Sequence, residues 1–199
     1  MMTAAPSASM RLLAVLAAFL AGALALFATV WLTLPKEATQ PSSVGGPFRL
    51  TDQNGRAVTD RDFKGEPFLV FFGFTNCPDI CPTTLFEMSE VLKRLGPDAD
   101  KTAALFISVD PERDTPEKLK DYVSSFHPRI FGLTGTPEEI AIVEKEYRVY
   151  SKKVPLKDGD YTMDHTAVVY LMDKDGRFVA PFNLKKSADE AAADLRRRL

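Results

Sequence analysis

The sequence predicts an α/β sandwich with a central parallel portion, preceded by one transmembrane helix. Two continuous apolar runs of strand length, Pro67 to Phe74 and Ala103 to Val109, alternate with stretches of helical spacing, the pattern of a sheet covered by helices. Asn54-Gly55 and Asp175-Gly176 mark a hairpin at each end of that alternation. Ahead of it, Leu12 to Leu34 gives 23 positions without a charge. At about 1.5 Å per residue that run crosses a bilayer core of roughly 30 Å.

In chain order, residues 1–11 form a short N-terminal tail. Residues 12–34 form the anchor, with Arg11 before it and Trp31 near its outer end, where an interfacial aromatic is favoured. The run is longer than the apolar region of a cleaved signal peptide, and no cysteine follows it to carry a lipid. Charge on the flanks favours the N-terminus inside and the domain outside, on a bacterial inner membrane facing the periplasm. Residues 35–46 are polar, with prolines, serines and glycines, and read as a tether. Residues 47–199 form the folded domain.

That domain opens with a hairpin over 47–59. Pro67 to Phe74 is its buried central strand. Leu85, Met88, Val91, Leu92 and Leu95 recur at helical spacing after Pro82, which suits a first helical position, and Gly96 stops the helix. Ala103 to Val109 is the second strand. Thr115-Pro116 opens a helix to about Phe126, and Thr136 with Glu139 forms a capping box for another to about Tyr147. Thr166 to Met172 is a third strand, turning at Asp175-Gly176 into Phe178 to Ala180. Ser187 caps a last helix ending in Arg196-Arg197-Arg198.

Composition bounds the function. Apolar residues make up 45% and charged residues 26%, enough for a packed core. The net charge is −2, with both signs interspersed, so the basic footprint of a nucleic-acid binder is absent. Lys152-Lys153 and the terminal arginines read as solvated faces, whereas Asp110-Pro111-Glu112-Arg113-Asp114 follows a buried strand and fits equally well an ordinary surface turn or a place at the same sheet edge as the site below, where it would help orient a partner.

The chemistry gathers at Cys77-Pro78-Asp79-Ile80-Cys81, between a strand and a helix start, where α/β folds place ligands. Pro82 disfavours helical geometry at Cys81, which is expected at the cap or the preceding turn. There the helix dipole and free N–H groups stabilise a thiolate. Three residues separate the cysteines, one more than in the familiar C-x-x-C redox pair. A structural disulfide, thiol exchange and metal binding are all open to such a pair. His165, immediately before the third strand, is the histidine that parallel strands would bring to the cysteine loop. His127 reads as an ordinary surface residue. Two thiolates and one imidazole make a soft, three-donor set that suits copper, whereas structural zinc wants four donors. Met88 and Met172 fit core positions. Met163 is a weak further candidate.

The stretches Phe72 to Pro82, Ser108 to Glu117, Leu133 to Thr136, Asp164-His165-Thr166 and Tyr170 to Asp173 resemble the Sco/SenC copper chaperones, over nearly the whole soluble part. The resemblance implies a thioredoxin-like fold, a single N-terminal anchor and copper, as Cu(I) or Cu(II), held by Cys77, Cys81 and His165. It also implies delivery of copper to the copper A site of cytochrome c oxidase subunit II, or preparation of its thiols. Asp79 is a tuning residue at most. The expected function is a metallochaperone rather than an enzyme in the turnover sense. The alternative is a thiol–disulfide reductase for that site or another periplasmic protein, in which Cys77 attacks and Cys81 resolves. Nothing in the sequence calls for a peroxidase on the same fold.

Overall fold

In the computed structural model the described residues are 8–33, 44–157 and 159–199. The chain divides into two compact units, Met1–Gln40 and Pro41–Leu199. In the first, helix α1 (Ala8–Thr33) takes up all of the expected span except Leu34, which lies outside the described residues, as does the expected tether up to residue 43. Side chains of α1 are described over 16–29 only, all exposed, and among the described residues no helix is long and apolar enough to cross a membrane.

The second unit is built on a sheet of seven strands. In chain order these are β1 (Arg49–Asp52), β2 (Ala57–Thr59), β3 (Phe68–Gly73), β4 (Ala103–Ser108), β5 (Ile130–Thr134), β8 (Val169–Met172) and β9 (Phe178–Pro181). Their spatial order is β2-β1-β5-β4-β3-β8-β9. β3, β4 and β5 are parallel; β1 joins β5, and β8 joins β3, antiparallel. Every residue of β3 and β4 is buried, as uninterrupted apolar runs require when helices cover both faces.

Four helices make the layers: α2 (Ile80–Leu95), α3 (Pro116–Val123), α4 (Pro137–Tyr147) and α5 (Ala188–Arg196). Phe71 of β3 stacks on Phe106 of β4, which meets Tyr122 of α3. Phe72, one residue on and so on the other face, meets Tyr147 of α4. α5 is tied to α2 by a two-bond fork from Arg94 to Asp189 and by Arg196 reaching the carbonyls of Arg94 and Leu95. The capping box expected at Thr136–Glu139 is present, Ser187 caps the last helix as expected and forms a capping box with Glu190, and Gly96 ends α2 at φ 60°.

Several expectations are corrected. β5 is an additional strand, and β6 (Ser151–Pro155) with β7 (Tyr161–His165) forms a separate two-stranded hairpin. β6 carries charged, mostly exposed residues and lacks the apolar alternation that marks a half-buried strand. α2 starts at Ile80, ahead of Pro82, because the first-turn N–H groups have no intrahelical acceptor and the ring removes nothing. Cys81 is therefore helical, not a cap. α3 ends at Val123, short of Phe126. The expected third strand starts only at Val169, so His165 closes β7 rather than preceding that strand.

Leu105, at the centre of β4, is fully buried. Leu105→Ala is expected to cost about 2–5 kcal/mol of stability, against about 1 kcal/mol for Thr136→Ala, which removes only a cap. Chemical denaturation of the two variants measures the ratio.

Candidate metal centre

The site stands where β3 ends and α2 begins. Gly73, the last residue of β3, gives it room: a Cβ there would lie 2.7 Å from Cys81 Sγ and 2.7 Å from Phe106 Cε2. Phe74 N-terminal to the loop is buried, and the Cys77 N–H donates to the Phe74 carbonyl at 3.2 Å, closing a tight turn. The Cys81 N–H, in the first turn of α2, points at Cys77 Sγ at 3.4 Å. So the free N–H of the helix start serves Cys77. Cys81 itself is fully buried, and burial pushes its thiol up, reversing the thiolate stabilisation expected there. Cys77 is half-buried, and both cysteines are free thiols.

His165 arrives from the hairpin. Its Nε2 lies 3.7 Å from Cys81 Sγ. The parallel pairing invoked for this approach is not what produces it. β8 runs antiparallel to β3, with Val169 opposite Phe71, so the start of β8 and the chain before it lie beside the end of β3. His165 Nδ1 is 3.1 Å from the Thr166 carbonyl. A carbonyl can only accept, so Nδ1 carries the proton and Nε2 presents its lone pair to the sulfur. Phe71 and Phe74 meet the imidazole edge-on, with ring centroids 6.4 and 5.8 Å away.

Sγ of Cys77, Sγ of Cys81 and a ring nitrogen of His165 all lie within 4.8 Å of one another, a grouping found once among the described residues. Two soft sulfurs and one imidazole nitrogen whose tautomer is already set fit copper. Met88 and Met172 are buried in the core, and Met163 is half-buried against it. His127 is far from the set: its Nδ1 accepts the Arg129 N–H, and burial lowers its basicity.

The residues that sequence reasoning missed lie in the turn after β4. Asp110 and Asp114 are almost completely buried. Asp114 accepts from the Thr75 N–H at 3.0 Å, the Thr75 hydroxyl at 2.6 Å and the Ser108 hydroxyl at 2.7 Å, fixing the strand end that leads to Cys77. Lys118 reaches Asn76 Oδ1 at 2.7 Å on the same loop. Asp110 accepts from the Tyr161 hydroxyl at 2.8 Å; burial and that bond push the phenol up to about 12. Position after a buried strand was the available signal, and it was offset by the usual exposure of charged turns.

Comparison with known proteins places this architecture. The SCO1/SenC family model matches residues 36–199. The human mitochondrial SCO1 homolog is 44% identical over 158 residues, covering 76% of this chain and 52% of its own length. This chain thus spans about half the length of that relative. The copper-bound structure of Bradyrhizobium japonicum ScoI is 68% identical, covers 78% of this chain and 99% of its own, and superposes with a TM-score of 0.77. BsSco, described with a disulfide switch and as one of the Sco family of cytochrome c oxidase assembly proteins, is 29% identical, covers 79% and 95%, and gives 0.61. The α/β sandwich is the thioredoxin-like fold these structures share.

Two outcomes are expected. Gly73→Ala drives a methyl into the Cys81 sulfur; it costs about 1–3 kcal/mol of stability and weakens copper binding, which denaturation and metal competition measure. In the metal-free protein at neutral pH, alkylation modifies Cys77 well before Cys81, because a buried thiol with a raised pKa yields thiolate only in strongly alkaline solution. Mass spectrometry of the labelled peptides gives the order.

Proposed function

Because the chain belongs to the SCO1/SenC family, we propose that it is a membrane-anchored metallochaperone that carries copper on Cys77, Cys81 and His165 for assembly of the copper A site of cytochrome c oxidase. The observation that carries this reading is the convergence of the three donors within 4.8 Å. The description of BsSco as a member of a family of cytochrome c oxidase assembly proteins supports the destination.

Copper is cargo here, so the chain must both hold it and let it go. Cu(I) is satisfied by two thiolates, and Cu(II) gains from a harder nitrogen donor. Cys81 is the enclosed donor, while Cys77 and His165 are both half-buried, so an incoming ligand of the acceptor replaces one of these two first. A buried, protonated Cys81 gives up its proton as the metal binds, which couples loading to pH: affinity rises as pH rises.

The uncharged run from Leu12 to Leu34 supports a single-pass anchor in a bacterial inner membrane, with the domain in the periplasm. Such tethering raises the effective concentration of the domain beside a membrane-bound acceptor, of which subunit II is the proposed one.

The second reading, a thiol–disulfide reductase acting through Cys77 and Cys81, is favoured by the free pair and the partial exposure of Cys77. His165 separates the two, since thiol exchange does not need an imidazole at Cys81. His165→Ala is expected to weaken Cu(II) binding by more than the about 10–100-fold that losing an outer hydrogen-bond partner costs, while Cys77–Cys81 disulfide formation continues. Competition titration and thiol counting on the same protein test both halves. Unchanged copper affinity would remove His165 from the site.

A further inference from the structure

His165 is the one donor of the three outside the β3–α2 segment, which carries Cys77 in its loop and Cys81 in the first turn of the helix. It ends β7, which pairs only with β6 in a two-stranded hairpin. The apolar contacts of Met163 and of the imidazole with Phe71 and Phe74 hold this arm down, but such contacts are non-directional. At the His165 end the directional contacts are local, the Thr166 N–H donating to the Tyr150 carbonyl at 2.9 Å and the Tyr150 N–H to the Thr166 hydroxyl at 3.0 Å; those that reach the turn after β4 lie at the other end of β7. Arg113 Nη1 donates to the Tyr161 carbonyl at 2.8 Å and pairs with Asp160 at 3.1 Å. The guanidinium carbon lies 3.7 Å from the centre of the Tyr161 ring, and the Tyr161 hydroxyl donates to Asp110 at 2.8 Å. Asp110 in turn holds Arg113 at 2.5 Å, with its own carboxyl fully buried. Lys153 of β6 pairs with Glu112 at 2.5 Å and lies 4.7 Å from the same ring.

Of these groups Asp110, Glu112 and Arg113 belong to one turn, closed by the Arg113 and Asp114 N–H groups donating to the Asp110 carbonyl. The far side of that turn is Asp114, which holds Thr75 ahead of Cys77. One rigid turn therefore grips the cysteine loop with Asp114 and the histidine arm with Asp110, Glu112 and Arg113. Resting on the copper reading above, we infer that Arg113 and Tyr161 are positioning residues: they form a latch that sets His165 Nε2 against the two sulfurs. Neither residue touches the metal. Cutting the latch leaves Cys81 in place on α2 and Cys77 in its loop, which Asp114 still holds through Thr75, and it loosens only the nitrogen donor. The damage then falls on Cu(II) and spares Cu(I).

The test uses the full chain with Tyr161→Phe, which removes only the bond to Asp110, and Arg113→Ala, which removes the guanidinium's contacts with the Tyr161 carbonyl and ring and with Asp160 and leaves the Tyr161–Asp110 bond, each alone and combined with His165→Ala. Cu(I) and Cu(II) affinities are measured by competition, and amide hydrogen exchange over 161–166 is measured without metal. The expected results are a Cu(II) affinity lowered about 10–100-fold by Arg113→Ala and less by Tyr161→Phe. Cu(I) affinity stays within about twofold, and the His165→Ala background shows no further loss. Exchange over 161–166 rises while β3 and β4 stay protected. Equal losses for the two oxidation states, additive losses in the double variants, or unchanged Cu(II) binding in both variants would overturn the latch. If Arg113→Ala does not fold, Tyr161→Phe decides by the same comparison. Wild-type protein that fails to bind copper would instead overturn the function on which the inference rests.

Discussion

The site depends on bringing one imidazole nitrogen to 3.7 Å from a buried sulfur that lies 84 residues earlier in the chain. Two constraints accomplish this. Antiparallel pairing of β8 with β3 returns the chain to the end of β3, where α2 begins. The turn after β4 then fixes the two approaching segments against each other through buried carboxylates at Asp110 and Asp114. A buried carboxylate needs its oxygens engaged, and these are engaged by Thr75 of the cysteine loop, Tyr161 of the histidine hairpin, Ser108 of β4 and Arg113 of the turn itself. The cysteines sit on the segment that joins β3 to α2, whereas the histidine rides on a hairpin outside the main sheet.

The three donors are unequal in a way that suits a carrier. Cys81 is enclosed by Gly73, Phe106 and His165, and the absence of a side chain at Gly73 is what admits its sulfur. Cys77 is half-open, with Ile80 exposed at the start of α2 beside it. In the proposed transfer, an acceptor's ligand would reach the metal from the Cys77 side while Cys81 keeps hold of it, so that copper passes through shared coordination and not as a free ion. The same openness leaves Cys77 available for thiol exchange, so the disulfide chemistry and the copper chemistry compete for one pair of sulfurs. A protonated, buried Cys81 slows oxidation of the pair and favours the metal-ready dithiol state.

Much of the fold was legible in the sequence, and the reasons are local. β3 and β4 are uninterrupted apolar runs, α2 has its stripe and its glycine stop, and three helices carry their caps in the sequence. β5 was not legible, because Gly132 breaks a five-residue strand and its stability comes from β4 and β1, distant in sequence. β6 and β7 were not legible, because β6 is mostly exposed and β7 only half-buried, with no apolar alternation to read. The cysteines were readable from their place between strand and helix. His165 was legible from its place near a strand start and mostly from family resemblance, although parallel strands are not what brings it to the cysteines. The Asp110 to Asp114 turn was legible as a stretch at the sheet edge or an ordinary surface turn, since nothing in a charged pentapeptide announces that two of its carboxylates are buried.

The central claim is that copper is held by two sulfurs and one nitrogen from this chain. X-ray absorption at the copper edge of the metal-loaded protein tests it directly, because the shells of sulfur and nitrogen neighbours scatter differently. The account predicts one copper per chain with a shell of two sulfurs and an imidazole nitrogen, which shows its ring through weaker outer scattering. A shell of nitrogen and oxygen alone, or copper bound without stoichiometry, would contradict it.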